Sequence, residues 1–185
     1  MPDTTPVLYP ETIHDPAAVR SRTVTWQDPA LGLSRAREMS GLDWLNEMFR
    51  GKLPRPPLNN LLGVDEGGAE PGRAWMSFPA GEHLYNPMGT VHGGVLSTVL
   101  DSAMGCAVQS TLGPGEGYTT IDLHVTFVRP VTAASGRLRC EGEMVHAGRR
   151  LAMAQARLTD AQGRLCAHAV SSCMIRRAGD HDGRV

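Results

Sequence analysis

The stretch with the most chemical potential reads Asn86-Pro87-Met88-Gly89-Thr90-Val91-His92-Gly93-Gly94, with Asp101 seven residues further on. Gly93 and Gly94 stand where an apolar helical pattern begins. Two glycines at a helix start permit close backbone approach, and their free amides point along the positive end of the helix dipole. Such a start can polarise a carbonyl or hold an oxyanion. Asp101 falls on the narrow polar stripe of the same helix, with Ser97 one turn before it on the same side. A lone carboxylate on a buried helix is costly unless it is paired or used. Each residue also has a plainer reading: Gly93-Gly94 as a simple helix start, Asp101 as a structural hydrogen-bonder, His92 likewise, and Asn86 as a turn residue before Pro87.

The helix that must carry this set runs from Gly93 to Ser110. Val95, Leu96, Val99, Leu100, Ala103, Met104 and Ala107 give it a broad apolar surface, so it is expected to be buried. Upstream, Leu42, Leu45, Met48 and Phe49 predict a helix within Ser34 to Arg50, ended by the proline-rich Lys52 to Pro57. Leu58 to Val64 reads as a strand, Glu66 to Gly72 as a turn and Ala74 to Phe78 as a half-buried strand. Four strands follow. In the first, Ile121, Leu123, Val125 and Phe127 alternate with Thr120, Asp122, His124 and Thr126. In the second, Leu138, Cys140 and Met144 alternate with charged residues. Arg150 to Thr159 and Leu165 to Ile175 close the series around a tight Asp160-Ala161-Gln162-Gly163 turn. Their spacing implies an antiparallel meander.

One face of such a sheet and a nearly all-apolar helix both need covering, and wrapping the sheet around the helix covers both. The predicted fold class is α+β, an antiparallel sheet around a central buried helix. Its open edge strands invite pairing with a second copy. Met104, Met144 and Met153 are expected as core filler.

Length and composition set the frame. At 185 residues with 41% hydrophobic content, the chain suits one domain with a real core. The expected division is an N-terminal extension over 1–33, the domain with its preceding helix over 34–177, and a tail over 178–185. Charge is balanced, 18 Lys+Arg against 19 Asp+Glu, which argues against a general nucleic-acid binder. An anionic partner must then be met by a local cluster. The cysteines at 106, 140, 166 and 173 form no CxxC pair, and no histidine pair shows ligand spacing, so no metal is expected. His124 and His168 are expected to face solvent or satisfied partners. There is no GxSxG elbow and no GxxxxGK loop. The first thirty residues lack the apolar stretch of a signal peptide, and no window approaches eighteen apolar residues. These features predict a cytoplasmic protein with reduced thiols and no membrane span.

Four segments together, NPMGTVHGG, HGGVLSTVLDSAMGCA, GYTTIDLHVTFVRPV and HAGRRLAMAQARLTD, make the chain resemble the hotdog-fold acyl-CoA thioesterases of the phenylacetate-pathway-like branch. The resemblance covers roughly Leu58 to Ile175. It implies hydrolysis of a thioester between coenzyme A and an acyl group, with coenzyme A as part of the substrate and no other cofactor. Carried over residue by residue, Asp101 matches the catalytic carboxylate, Gly93 the amide that polarises the thioester carbonyl, and His92 its supporting neighbour. Asn86 matches the residue that positions the thioester or the water. Thr120 falls where a Ser or Thr assists the water, with Thr119 the alternative one residue away. Arg149 and Arg150 are candidate contacts for the nucleotide phosphates, or else a solvated hairpin tip.

Gly93 and Asp101 are eight residues apart, about 12 Å along one helix. One thioester carbonyl cannot reach both within a subunit. A homodimer or homotetramer with composite sites is therefore expected, in agreement with the resemblance. The rival readings are a hotdog hydratase or dehydratase, for which His83 is the sole candidate base, and a non-catalytic acyl-CoA-binding protein.

Overall fold

A computed structural model describes residues 18–177, so residues 1–17 of the expected extension and the expected tail 178–185 lie outside the described residues. In chain order the elements are α1 (Pro29–Ala36), α2 (Gly41–Phe49), α3 (Pro57–Leu62), β1 (Glu66–Glu70) and β2 (Arg73–Pro79). Then come α4 (Gly93–Gln109), β3 (Gly117–Phe127), β4 (Arg137–Ala147), β5 (Leu151–Thr159) and β6 (Leu165–Arg176).

The region before the sheet departs from expectation in ways local chemistry explains. The helix expected over Ser34 to Arg50 is two helices. Asp28 caps α1 with Pro29 in its first turn, and Ser40 opens α2 by accepting the Asp43 amide at 3.1 Å. The expected strand Leu58 to Val64 is mostly helix α3, which starts at Pro57 and is ended by Gly63 in the left-handed region at φ 80°. The expected turn Glu66 to Gly72 is instead strand β1 with a turn after it. Its register on β2 runs from Glu66 opposite Ser77 to Glu70 opposite Arg73. Glycine suits β1 because the Phe49 ring closes directly onto Gly67 and the Trp75 ring onto Gly68.

All six strands are antiparallel, in the order β1-β2-β4-β5-β6-β3. The expected meander therefore holds only for β4, β5 and β6. β3 lies beyond β6 at the far edge, and β4 pairs with β2. The connector 128–136 is no hairpin turn. The Val128 and Arg129 amides bond to Cys166, and Val131 accepts the Val91 amide, so the chain crosses below the start of α4 to reach β4.

Helix α4 packs along its length on the concave face of β2, β4, β5, β6 and β3. Leu96, Val99, Leu100, Ala103, Met104, Ala107 and Val108 are buried against Met76, Phe78, Leu138, Cys140, Leu158 and Cys173. The inward face of β5 is Ala152, Ala154, Ala156 and Leu158, small enough to let the helix lie close. Met104 and Met144 pack in or against this core, but Met153 is 45% exposed because odd positions of β5 point outward.

Gly142 on β4 sets the closest approach, since a side chain there would run into the Ala103 carbonyl of α4. Gly142→Val is accordingly expected to cost about 2–3 kcal/mol by overpacking, lowering the thermal midpoint by roughly 5–10 °C. An unchanged melting curve would show that the helix does not rest on this strand.

Candidate active site

The loop before α4 is built around Asn86. Its Oδ1 accepts from the Met88 amide at 2.9 Å and the Thr90 amide at 3.3 Å, and its Nδ2 donates to Thr90 Oγ1 at 3.1 Å. The main chain closes the same loop, with the Asn86 amide donating to the Thr90 carbonyl at 2.8 Å. Asn86 is thus the clasp of the loop, and the turn-residue reading describes its contacts.

His92 then caps the helix. Its Nδ1 accepts the Gly94 amide at 2.8 Å, which places the proton of the neutral ring on Nε2. The His92 carbonyl takes the Val95 amide at 2.9 Å, leaving the Gly93 amide as the one in this first turn with no acceptor among the described residues. The Phe127 ring lies over Gly93, where an added Cβ would meet its Cζ at 3.1 Å.

Asp101 stands two turns along α4, half-buried. Thr120 Oγ1 donates to its Oδ1 at 2.9 Å, and Oδ2 has no hydrogen-bond partner among the described residues. Thr119 is exposed and points away, so of the two expected threonines the structure brings Thr120 to the carboxylate. A β-bulge between Thr120 and Asp122 makes this possible. It leaves Ile121 56% exposed, against the expected inward alternation, and returns Leu123 and Val125 to the inner face. Phe127, also expected inward, is 51% exposed at the end of the strand. Ser97 is spent locally, donating to the Gly93 carbonyl at 2.9 Å.

Tyr118 escaped the sequence reading. Its hydroxyl sits on α4 at Gly105, one turn beyond Asp101, where no larger residue would leave it room. The signal was available: Tyr118 precedes Thr120 by two and so shares its strand face. Burial first, then the neighbouring Cys106 and Asp101, raises its phenol above the ordinary range.

Arg149 and Arg150 form the exposed tip between β4 and β5, and the fold does not bring either to Asp101 or Gly93. The Arg150 carbonyl accepts the Ile175 amide, and Ile175 lies opposite Tyr118. Arg150 is therefore two strand spacings from Tyr118, about 10 Å. The His83 imidazole contacts Arg22, and no hydrogen bond joins it to Asp101, Thr120 or Gly93 among the described residues. Burial and that guanidinium hold its imidazole below the usual range.

The thiols are poorly suited to nucleophilic work. Burial, aided by the Asp101 charge, pushes Cys106 up to about 12, and burial raises Cys140, Cys166 and Cys173 as well. Few thiolates exist at neutral pH under those conditions. Iodoacetamide at pH 7.0 is expected to leave activity within about twofold over an hour; rapid inactivation would reveal a thiol in the chemistry.

Edge strand β3 thus runs past both halves of the site, with Thr120 at Asp101 and Phe127 over Gly93. The two halves are too far apart on α4 to act on one carbonyl, about 12 Å.

A family model described as the thioesterase superfamily matches residues 88–167, a span that includes Gly93, Asp101, Thr120, Arg149 and Arg150. A proposed esterase of Halobacterium salinarum is 35% identical over 103 residues, covering 53% of this chain and 66% of that protein. Among solved structures, a proposed thioesterase of Ralstonia eutropha JMP134, related to phenylacetic acid degradation, is 31% identical with a TM-score of 0.63. That alignment covers 69% of this chain and 96% of the other. A Bacillus halodurans protein solved with CoA is 29% identical with a TM-score of 0.60, covering 67% of this chain and 81% of that one. Sequence and strand order agree on one assignment: the chain belongs to the thioesterase superfamily and has the hotdog fold, its sheet wrapped around α4.

Proposed function

We propose that the protein hydrolyses acyl-CoA thioesters to the free acid and coenzyme A. Asp101 and Thr120 of one copy would act with the Gly93 amide of another. The observation that carries this reading is the Thr120–Asp101 hydrogen bond beside an unpaired edge strand, with a free helix-start amide at the other end of the same strand. The Bacillus halodurans relative solved with CoA supports the choice of thioester.

The chemistry follows from the donors and acceptors. The Gly93 amide donates to the thioester oxygen and stabilises the charge that gathers there. The Thr120 hydroxyl keeps its proton and donates a hydrogen bond to Asp101 Oδ1, so its oxygen lone pairs are left to accept from water and orient it. Asp101 Oδ2 then either takes the proton of that water as it attacks, or attacks the carbonyl carbon itself to form an anhydride that water opens. In both routes the C–S bond breaks and the thiolate of coenzyme A leaves and is protonated. Asn86 and His92 act at one remove, by holding the loop and helix start that aim Gly93.

Antiparallel pairing of β3 with a second β3, centred between Leu123 and His124, would set Thr120 of one copy opposite Phe127 of the other. Each Asp101 would then face the partner copy's Gly93. Exposed Ile121, Phe127 and Val128 give this edge apolar surface to bury. A homodimer is the smallest unit this permits. A homotetramer would add contacts through Met153, Val170 and Met174, exposed on the outer face of the sheet. Arg149 and Arg150, at the exposed tip between β4 and β5, would take the nucleotide phosphates if the bound nucleotide reaches past Tyr118.

Thiol release from a panel of short, medium, long and aromatic acyl-CoAs tests the reading. At least one substrate is expected to reach kcat/KM of about 10⁴ M⁻¹s⁻¹ or more. Acyl-CoA binding without thiol release, or water addition to an enoyl-CoA without hydrolysis of a saturated one, would overturn it.

A further inference from the structure

We propose that the cavity roofed by α2 and α3 selects the acyl group. It would take acids of about ten carbons that carry a neutral hydrogen-bonding group away from the thioester. The inference rests on the acyl-CoA reading above and goes beyond it in naming the class of acid.

Position ties this cavity to the chemistry. Ser102, the residue after Asp101, and Cys106 line it from α4, and Tyr118 lines it from the strand face that bears Thr120. Its apolar wall comes from the added helices, chiefly Trp44, Met48, Phe49 and Leu58. The roof is held firmly: the Trp44 indole donates to the Gly32 carbonyl at 2.9 Å, and the Gly41 amide to the Leu112 carbonyl at 2.9 Å.

Volume sets the size of the acid. A cavity of about 150 Å³ holds one benzene ring. In proportion, the 240 Å³ found here holds about ten carbons. A sixteen-carbon chain would exceed this volume and have to leave part of its length outside the α2–α3 roof.

The polar lining sets the chemistry. Asn59 and Gln109 are each only 9% exposed, and neither side-chain amide nor the Tyr118 hydroxyl makes a hydrogen bond among the described residues; these polar atoms are not sealed in the core but open onto the cavity. All three line the cavity. A purely hydrocarbon acid would strip water from these groups and give nothing back, which is costly. A hydroxyl, phenol, ketone or amide on the acid would satisfy them. No Lys, Arg or His lines the cavity, so a second carboxylate would find no counter-charge.

The test compares kcat/KM for matched pairs: decanoyl-CoA against 10-hydroxydecanoyl-CoA, and 4-phenylbutanoyl-CoA against its para-hydroxy form. The hydroxylated member is expected to be favoured by about tenfold or more, and hexadecanoyl-CoA to fall below decanoyl-CoA by at least about tenfold. Gln109→Leu and Asn59→Leu are expected to bring each pair's ratio toward one, and Trp44→Ala to restore hydrolysis of the long chain. Equal rates within the pairs, or undiminished hexadecanoyl turnover, would overturn this inference while leaving acyl-CoA hydrolysis standing. If no acyl-CoA is hydrolysed, the reaction assignment fails, and binding of the free acids decides the pocket. Quenching of Trp44 fluorescence, with Trp44→Phe as control, is expected at lower concentration for the hydroxylated acid. Equal or absent quenching would overturn the inference.

Discussion

Asp101→Asn is expected to lower kcat for acyl-CoA hydrolysis by about 10³-fold, within the 10²–10⁴ range for loss of a positioned base, while the fold stays intact. Asparagine keeps the shape and keeps Oδ1, which still accepts from Thr120 where the native pair stands at 2.9 Å. What it removes is the free Oδ2. An amide nitrogen in that place can neither take a proton from water nor attack a carbonyl. Stability should not suffer, because a carboxylate on a mostly buried helix carries a desolvation cost that asparagine relieves. The thermal midpoint is therefore expected to be equal or higher. Steady-state kinetics and melting of one preparation check both halves. Wild-type turnover would remove Asp101 from the chemistry, and a collapsed melting curve would make its role structural.

Gly93→Pro is expected to lower kcat by about 10²- to 10³-fold, the usual cost of losing one oxyanion donor. Proline is a clean way to delete this amide. Gly93 is the first residue of α4, a position where proline is well tolerated because its missing N–H has no helical partner. His92 already has φ −58° and ψ 133°, the extended conformation that a residue before proline prefers. The new side chain would press on the Phe127 ring at 3.1 Å, but that ring is 51% exposed and free to give way. Turnover should drop with little change in melting. If kcat holds, the thioester oxygen is met by some other donor.

Much of the fold was legible because it obeys simple periods. The broad apolar face of Gly93 to Gln109 and the alternation on β2, β4, β5 and β6 each reflect burial, and burial is what pattern reads. The failures have physical causes. Pro57–Leu62 is only six residues long, too short for a helical period to declare itself. β1 carries glycines because Phe49 and Trp75 need the room, which erases the usual strand composition. The place of β3 at the far edge depends on where the connector 128–136 crosses, a non-local matter. The bulge after Thr120 inverted the face expected for Ile121, and with it the site's geometry. For the site itself, the residue types around Gly93 and Asp101 were visible. The engagement of the Asn86 side chain within its own loop was not, since it depends on a backbone turn. The opening of the Asn59 and Gln109 amides onto the cavity was likewise hidden, because sequence does not show which polar groups face it.

Mixing the two impaired variants tests the composite site most directly. Asp101→Asn chains keep Gly93, and Gly93→Pro chains keep Asp101, so a mixed dimer holds one site with both native groups and one with neither. After subunit exchange at equal concentrations, half the dimers are mixed, and thiol release is expected to recover to about a quarter of the wild-type rate. If Asp101 and Gly93 worked within a single chain, every site in the mixture would lack one of them. Activity would then stay at the level of the separate variants, contradicting the account.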